Sequence, residues 1–193
     1  MAPGRRSFIL PLWGEMGQMI LFFIRRINDM ESLKKVDHSA MTVNQVIIIA
    51  LNILAFVLNL PWLTGVVTAV MLLGALLGQP GFGFIYQFAL KPAGLVKPHL
   101  LLDNPEPHRF AQGLGGLFML GGTLALFSGF SVLGWGLIWV VAALAALNAF
   151  GGFCVGCFIY YWLTRLGLPG FSKTPPAGTF PGMRPKEAVS DER

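Results

Sequence analysis

"FAQGLGGLFMLGGTLALFSGFSVLGWGLIWVVAALAALNAFGGFCVGCFIYYWLT", residues 110–164, contains no Lys, Arg, Asp or Glu. A transmembrane helix needs about 20 apolar residues, so this stretch is long enough to cross a bilayer twice. A second charge-free stretch runs from Thr42 to Gly81. A soluble fold would have to expose part of both. The chain is 54% hydrophobic and only 12% charged, against about 25% charged in soluble domains. These features define an all-α membrane protein whose first partner is the lipid bilayer. The net charge of +5 comes from basic residues flanking the apolar stretches, where they set topology. No nucleic-acid partner is expected.

Four transmembrane helices account for the pattern. The first runs from Val43 to Leu60 and stops at Pro61, which lacks an N–H donor. The second covers Thr64 to Leu77, the third Phe110 to Gly129, and the fourth Leu133 to Leu166. All 14 Lys and Arg then fall in the N-terminal segment, the connection between spans two and three, and the C-terminal segment. The other two connections, "PWLTG" (61–65) and "SGFSVLG" (128–134), carry none. The positive-inside rule makes both termini cytoplasmic in a bacterial inner (plasma) membrane.

Three regions follow. Residues 1–42 form a cytoplasmic or interfacial segment. In it Met16, Ile20, Phe23 and Ile27 recur on one helical face while Gln18, Arg25 and Asp29 lie on another, the pattern of an amphipathic helix lying in the interface. Residues 43–166 are the four-helix transmembrane domain. Residues 167–193 are a Pro/Gly-rich cytoplasmic tail, expected to be flexible. Between spans two and three, "FGFIYQFAL" (82–90) is too short to cross and reads as a short interfacial helix. Pro92, Pro98, Pro105 and Pro107 make the rest of that connection an extended loop. Small residues at Gly121, Ala125 and Gly129, and at Ala145, Ala149, Gly152 and Gly156, are spaced for close helix packing. The amides of Gln45, Asn52, Asn59 and Asn148 are expected to link helices rather than to bind substrate.

The chain has two cysteines, Cys154 and Cys157. Trp135 and Trp139 mark the outer end of span four, and Tyr160, Tyr161 and Trp162 mark its inner end. The pair therefore lies just inside the cytoplasmic boundary, a reducing side where a permanent disulfide is not expected. Leu133 to Leu166 as one helix would be a rod of about 50 Å, longer than the bilayer core of about 30 Å. It either tilts and protrudes or breaks at Gly151-Gly152. An unbroken apolar helix would raise both thiol pKa values and leave them inert. A break would put Cys154 in the first turn of a new helix, where the dipole favours the thiolate. Two other readings stand beside this one. The cysteines serve as small buried hydrophobes, or they bind metal with His38, His99 or His108. No ligand spacing fixes those histidines, so no metal is assigned, and no cofactor is identified. There is no phosphate-binding loop, H-E-x-x-H or serine elbow. No acidic residue lies within a span, which argues against proton-coupled transport.

"LLGALLGQPGFGFIYQFALKP" (72–92), "PEPHRFAQGLG" (105–115) and "LNAFGGFCVGCFIYYW" (147–162) resemble an uncharacterised family of small bacterial membrane proteins, a domain of unknown function. The family pattern is a Pro-x-Arg-Phe-Ala-Gln stretch opening one span and a Phe/Tyr-Cys-x-Gly-Cys pair closing the next. The resemblance covers about Val43 to Leu166. It implies that Arg109, Phe110, Ala111, Gln112, Cys154, Gly156 and Cys157 are the positions to watch. It also implies a thioredoxin-like or sulfurtransferase-like partner, since relatives are often encoded near such proteins. Relatives often carry an acidic residue after the second cysteine, where this chain has Phe158. That leaves no acid–base partner for the thiols in the motif itself.

The leading expectation is thiol–disulfide exchange or sulfur handling at the cytoplasmic face. Cys154 is the nucleophile, Cys157 the resolving thiol and Arg109 a nearby cation. The alternative is a non-enzymatic structural or accessory subunit of a larger membrane complex. A quinone-linked oxidoreductase spanning the bilayer is disfavoured, because there is no second cysteine pair on the outer side.

Overall fold

A computed structural model describes residues 33–186. The expected amphipathic N-terminal helix and the last seven residues of the tail lie outside the described residues. The described residues open with a strand, β1 (Lys34–Asp37), followed by helices α1 (His38–Val57) and α2 (Pro61–Leu77). A short helix, α3 (Gly83–Ile85), continues as a π-helical turn over Tyr86–Leu90. Strand β2 (Leu100–Asp103) leads into α4 (Pro105–Phe127), α5 (Ser131–Gly151) and α6 (Val155–Arg165).

Helices α1, α4 and α5 are long and apolar enough to cross a membrane, as expected of a membrane protein. Helix α2 is apolar but has 17 residues, about 26 Å at 1.5 Å per residue and thus shorter than the hydrocarbon core. Their outward faces carry Val57, Leu76, Leu77 and Val132, all more than two-thirds exposed. A surface so apolar is suited to lipid. Helix α4 is central and packs against α2, α5 and α6. Ile48, Val67, Met71, Met119, Ile138 and Val141 fill the space between the long helices.

Helix α4, which contains the expected third span, begins at Pro105, five residues before Phe110. Asn104 is extended at the cap position, and the fixed φ of Pro105 suits a first helical residue. The closest α4–α5 approach uses Gly122 and Gly134, where an added Cβ would lie within 3.0 Å of the facing backbone oxygen. At Gly121 the same Cβ would make an ordinary 3.8 Å contact with Leu137. Of the four amides expected to link helices, Asn52 does so, and Asn44, not among them, ties α1 to the start of α3. Asn44 Oδ1 accepts from the Phe82 N–H at 2.8 Å, and Asn52 Nδ2 donates to Met119 Sδ at 3.8 Å.

The connections differ from the extended loops expected. Lys34–Asp37 and Leu100–Asp103 pair as an antiparallel two-stranded ribbon, with Asp37 opposite Leu100. Asp37 then anchors the start of α1. Its Oδ1 accepts from the Ser39 and His99 N–H groups, and its Oδ2 accepts from the Tyr86 hydroxyl at 2.8 Å. This ribbon fixes His38 beside Asp103 and brings both over the cysteine end of the bundle.

The predicted fourth helix is broken. Gly152 ends α5 in the left-handed conformation, φ 66°, a cap that glycine adopts without Cβ strain. Residues 153 and 154 are extended, and α6 starts at Val155. The tail, expected to be free, folds back as far as Lys186. Met183 bridges Phe153, Gly182 O accepts from the Cys154 N–H at 2.7 Å, and Gly152 O accepts from the Arg184 N–H at 2.9 Å. Gly182 permits this because its φ is +85° and an added Cβ would lie 2.8 Å from Cys154 O.

Candidate functional site

The break in span four decides the setting of the cysteines. Cys154 is the N-cap of α6, and its Sγ accepts from the Cys157 N–H at 3.2 Å. The two residues form a disulfide, with Cα atoms 5.2 Å apart. Both are buried, in a cluster with Tyr160 and Tyr161 against Phe110 and Phe171. Capping α6 points the first-turn dipole at this sulfur pair. Cys154 also lines a cavity of about 420 Å³, whose wall includes Asn44, Arg109, Gln112 and Asn148.

A histidine faces the pair from across the helix seam. His108, in the first turn of α4, places Nδ1 3.4 Å from Cys157 Sγ. Its Nε2 lies 2.9 Å from Asp103 Oδ2, and His38 Nε2 lies 3.1 Å from the same oxygen. A carboxylate only accepts, so both Nε2 atoms donate. The His108 Nδ1 is then left as an acceptor facing the sulfur, placed to take the Cys157 proton once the pair is reduced. Burial works against the charge on Asp103. Hydrogen bonds from His108 and His38, and from the Asn104 N–H at 2.8 Å, outweigh it and hold the carboxyl well below its usual range. His108, Asp103 and His38 thus form one hydrogen-bonded group, and the unprotonated Nδ1 of His108 faces Cys157 Sγ.

The seam that brings them together depends on small residues. An added Cβ at Gly156 would lie 2.5 Å from Ala111 Cβ and 2.7 Å from Ala111 Cα. Helices α4 and α6 therefore touch at backbone distance, one turn from His108 and beside Cys157. The other motif positions hold the surroundings. Arg109 donates to the carbonyls of Ala75 and Leu76 at 3.3–3.4 Å, capping the C-terminus of α2. Gln112 donates to Met71 O at 2.9 Å and to Gln79 O at 3.3 Å. Phe110 packs edge-on against Tyr160 and Phe171. The position after the second cysteine, Phe158, stacks on Phe180 of the returning tail.

The expected site residues are brought to one end of the bundle, but not all to the sulfurs. Cys154 and Cys157 are joined; the described bonds of Arg109 go to α2, and the nitrogen base at the thiols is its neighbour His108. Asp103 and His38 had no reading as acid–base partners in the sequence. The one signal was a His-Arg-Phe-Ala run at a helix start, which places His108 and Ala111 on one face. Among the described residues, two groups of side chains could hold a metal ion: His108 with Cys154 and Cys157, and His38 with Asp103 and His108. His99 belongs to neither; its backbone is tied to Asp37 and His38.

The model of the family described as "Domain of unknown function (DUF4395)" matches residues 36–165, so the chain belongs to that family. No curated protein and no solved structure matches it.

Proposed function

We propose that this member of the DUF4395 family is a four-span membrane thiol–disulfide oxidoreductase that exchanges electrons with a soluble dithiol protein. The observation that carries this reading is a C-x-x-C disulfide capping a helix, with His108 Nδ1 3.4 Å from Cys157 Sγ. The acid–base group that the motif lacks at position 158 comes instead from β2 and α4.

The cycle balances with one partner dithiol. A partner thiolate attacks Cys154 Sγ, the sulfur on the cavity wall, and the Cys154–Cys157 bond breaks. Cys157 leaves as a thiolate and takes the proton that the attacking partner thiol gave up, relayed through His108 Nδ1. The partner's second thiol attacks the mixed disulfide and releases Cys154. Two electrons and two protons move from the partner to the pair, and the partner leaves as a disulfide. Run backwards, Cys154 is the nucleophile and Cys157 resolves. Arg109 contributes positive charge to the cavity wall. A thioredoxin-like or sulfurtransferase-like protein supplies the partner chemistry.

The test uses the purified full chain and a small disulfide probe. Cys157→Ser should trap a mixed disulfide at Cys154, Cys154→Ser should trap none, and the wild type should turn over without accumulating one. A wild-type pair that dithiols fail to reduce would sink the reading and leave that of an accessory subunit.

The site belongs on the cytoplasmic side, with α2 as the fourth span, residues 83–90 at the headgroup level and both termini inside. Supporting this, every described Lys and Arg lies in β1, the segment between Leu90 and β2, the N-terminal end of α4, the end of α6 or the returning tail. The loops at 58–60 and 128–130 carry none. Reporter fusions in those two loops should read as outside. A cytoplasmic signal from either one would refute the four-span topology.

A further inference from the structure

We infer that the reduced pair is also a metal site, in which Cys154 Sγ, Cys157 Sγ and His108 Nδ1 bind one thiophilic cation of the Zn²⁺ class and leave a fourth position open. The inference rests on the exchange reading only in that the disulfide must be reducible. The three ligand atoms lie within 4.8 Å of one another. Tetrahedral zinc, with bonds of about 2.3 Å to sulfur and about 2.0 Å to nitrogen, separates two sulfurs by about 3.8 Å and sulfur from nitrogen by about 3.5 Å. Cys157 Sγ and His108 Nδ1 are 3.4 Å apart, already at that spacing. Cys-x-x-Cys is the interval with which zinc knuckles supply two thiolates.

The surroundings support the same site independently. Metal-bound histidine usually donates its second ring N–H to a carboxylate, which fixes the tautomer and the ring. His108 does this through Nε2 to Asp103, 2.9 Å away. The Cys157 N–H already points at Cys154 Sγ. A void of about 20 Å³ is bordered by Cys154, Cys157, His108, Asp103 and His38, room for one water-sized occupant. Two buried thiolates beside a buried carboxylate would concentrate negative charge, which a divalent cation offsets. The competing set, His38–Asp103–His108, is less suited. Both of its Nε2–H groups already donate to Asp103 Oδ2, and a cation there would have to displace both bonds.

Reduction of the disulfide by a phosphine consumes two electrons and two protons, with the phosphine leaving as its oxide. Zinc binding then displaces the two thiol protons to buffer. Full-length protein in detergent, reduced in chelator and freed of reductant, should bind one Zn²⁺ per chain in competition with a chromophoric chelator. Co²⁺ in its place should give thiolate-to-metal charge-transfer absorption. The same protein left oxidised should bind none, a comparison that needs no substitution. Asp103→Asn should weaken binding by about 10- to 100-fold, and the double variant Cys154→Ser/Cys157→Ser should lose it. Equal binding by oxidised and reduced protein, or Zn²⁺ retained by the double variant, would overturn the inference. If two thiols appear on reduction but no Zn²⁺ binds, the metal site falls and the exchange reading stands. If reductant releases no thiols, both fall.

Discussion

Replacing Gly156 by leucine is expected to unseat α6 and lower stability by about 3 kcal/mol, the upper end of the range for overpacked cores. The reason is the identity of the atoms in the way. A Cβ at 156 would meet Ala111 Cβ at 2.5 Å and Ala111 Cα at 2.7 Å. Neither can move by a side-chain rotation, so the helices must separate. Separation also parts His108 from Cys157, and the variant should lose disulfide exchange together with its thermal stability in detergent. Gly113→Ala is the matched control within α4. Its Cβ would meet Ala75 Cβ at 3.6 Å, an ordinary contact, and replacing glycine inside a helix gains about 0.5–1 kcal/mol. Equal melting temperatures for the two variants would mean that α4 and α6 do not meet at backbone distance.

The same residues mark where the sequence was readable. A fourth span from Leu133 to Leu166, too long for one crossing and interrupted by Gly151-Gly152, required either a tilt or a break. Gly152 in the left-handed region makes the break. Cys154 at the head of α6 follows from that single backbone feature. The acid–base line did not follow, because it is assembled across the fold. Cys157 and His108 are 49 positions apart and His38 and Asp103 are 65 apart. Only the closing of α4 against α6, and of β1 against β2, brings them together. The ribbon was hidden for a different reason. Two strands of four residues are too short to display alternation, and β2 lies between Pro98 and Pro105, which favour a loop reading. The tail misled by composition. Its Pro and Gly content reads as free chain, yet those residues permit the tight returns at Gly178 and Gly182 that bring its backbone to Gly152 and Cys154. Helix α2 ends at Leu77 as expected but begins at Pro61, within the stretch read as a connection, and the carbonyls at its end are held by Arg109.

His108→Ala should slow disulfide exchange by about 10²-fold near neutral pH, the lower end of what a positioned general acid–base contributes. The geometry predicts which step slows. Nδ1 faces Cys157, and the described contacts of His108 do not include Cys154 Sγ. Attack by Cys154 on a partner disulfide should therefore proceed, while resolution by Cys157 is delayed. A mixed disulfide at Cys154 should accumulate in this variant and not in the wild type, measured by rapid acid quenching in the presence of chelator. Asp103→Asn should show the same accumulation to a smaller degree, because the amide no longer enforces the tautomer that leaves Nδ1 free toward sulfur. Arg109→Ala provides the contrast. Its guanidinium is bonded to the α2 carbonyls, so its loss should lower thermal stability by about 1 kcal/mol without trapping an intermediate. A His108→Ala protein that keeps its fold and exchanges at the wild-type rate would show that Cys157 needs no proton partner. The line from Cys157 through His108 to Asp103 would then hold the helices together and take no part in chemistry.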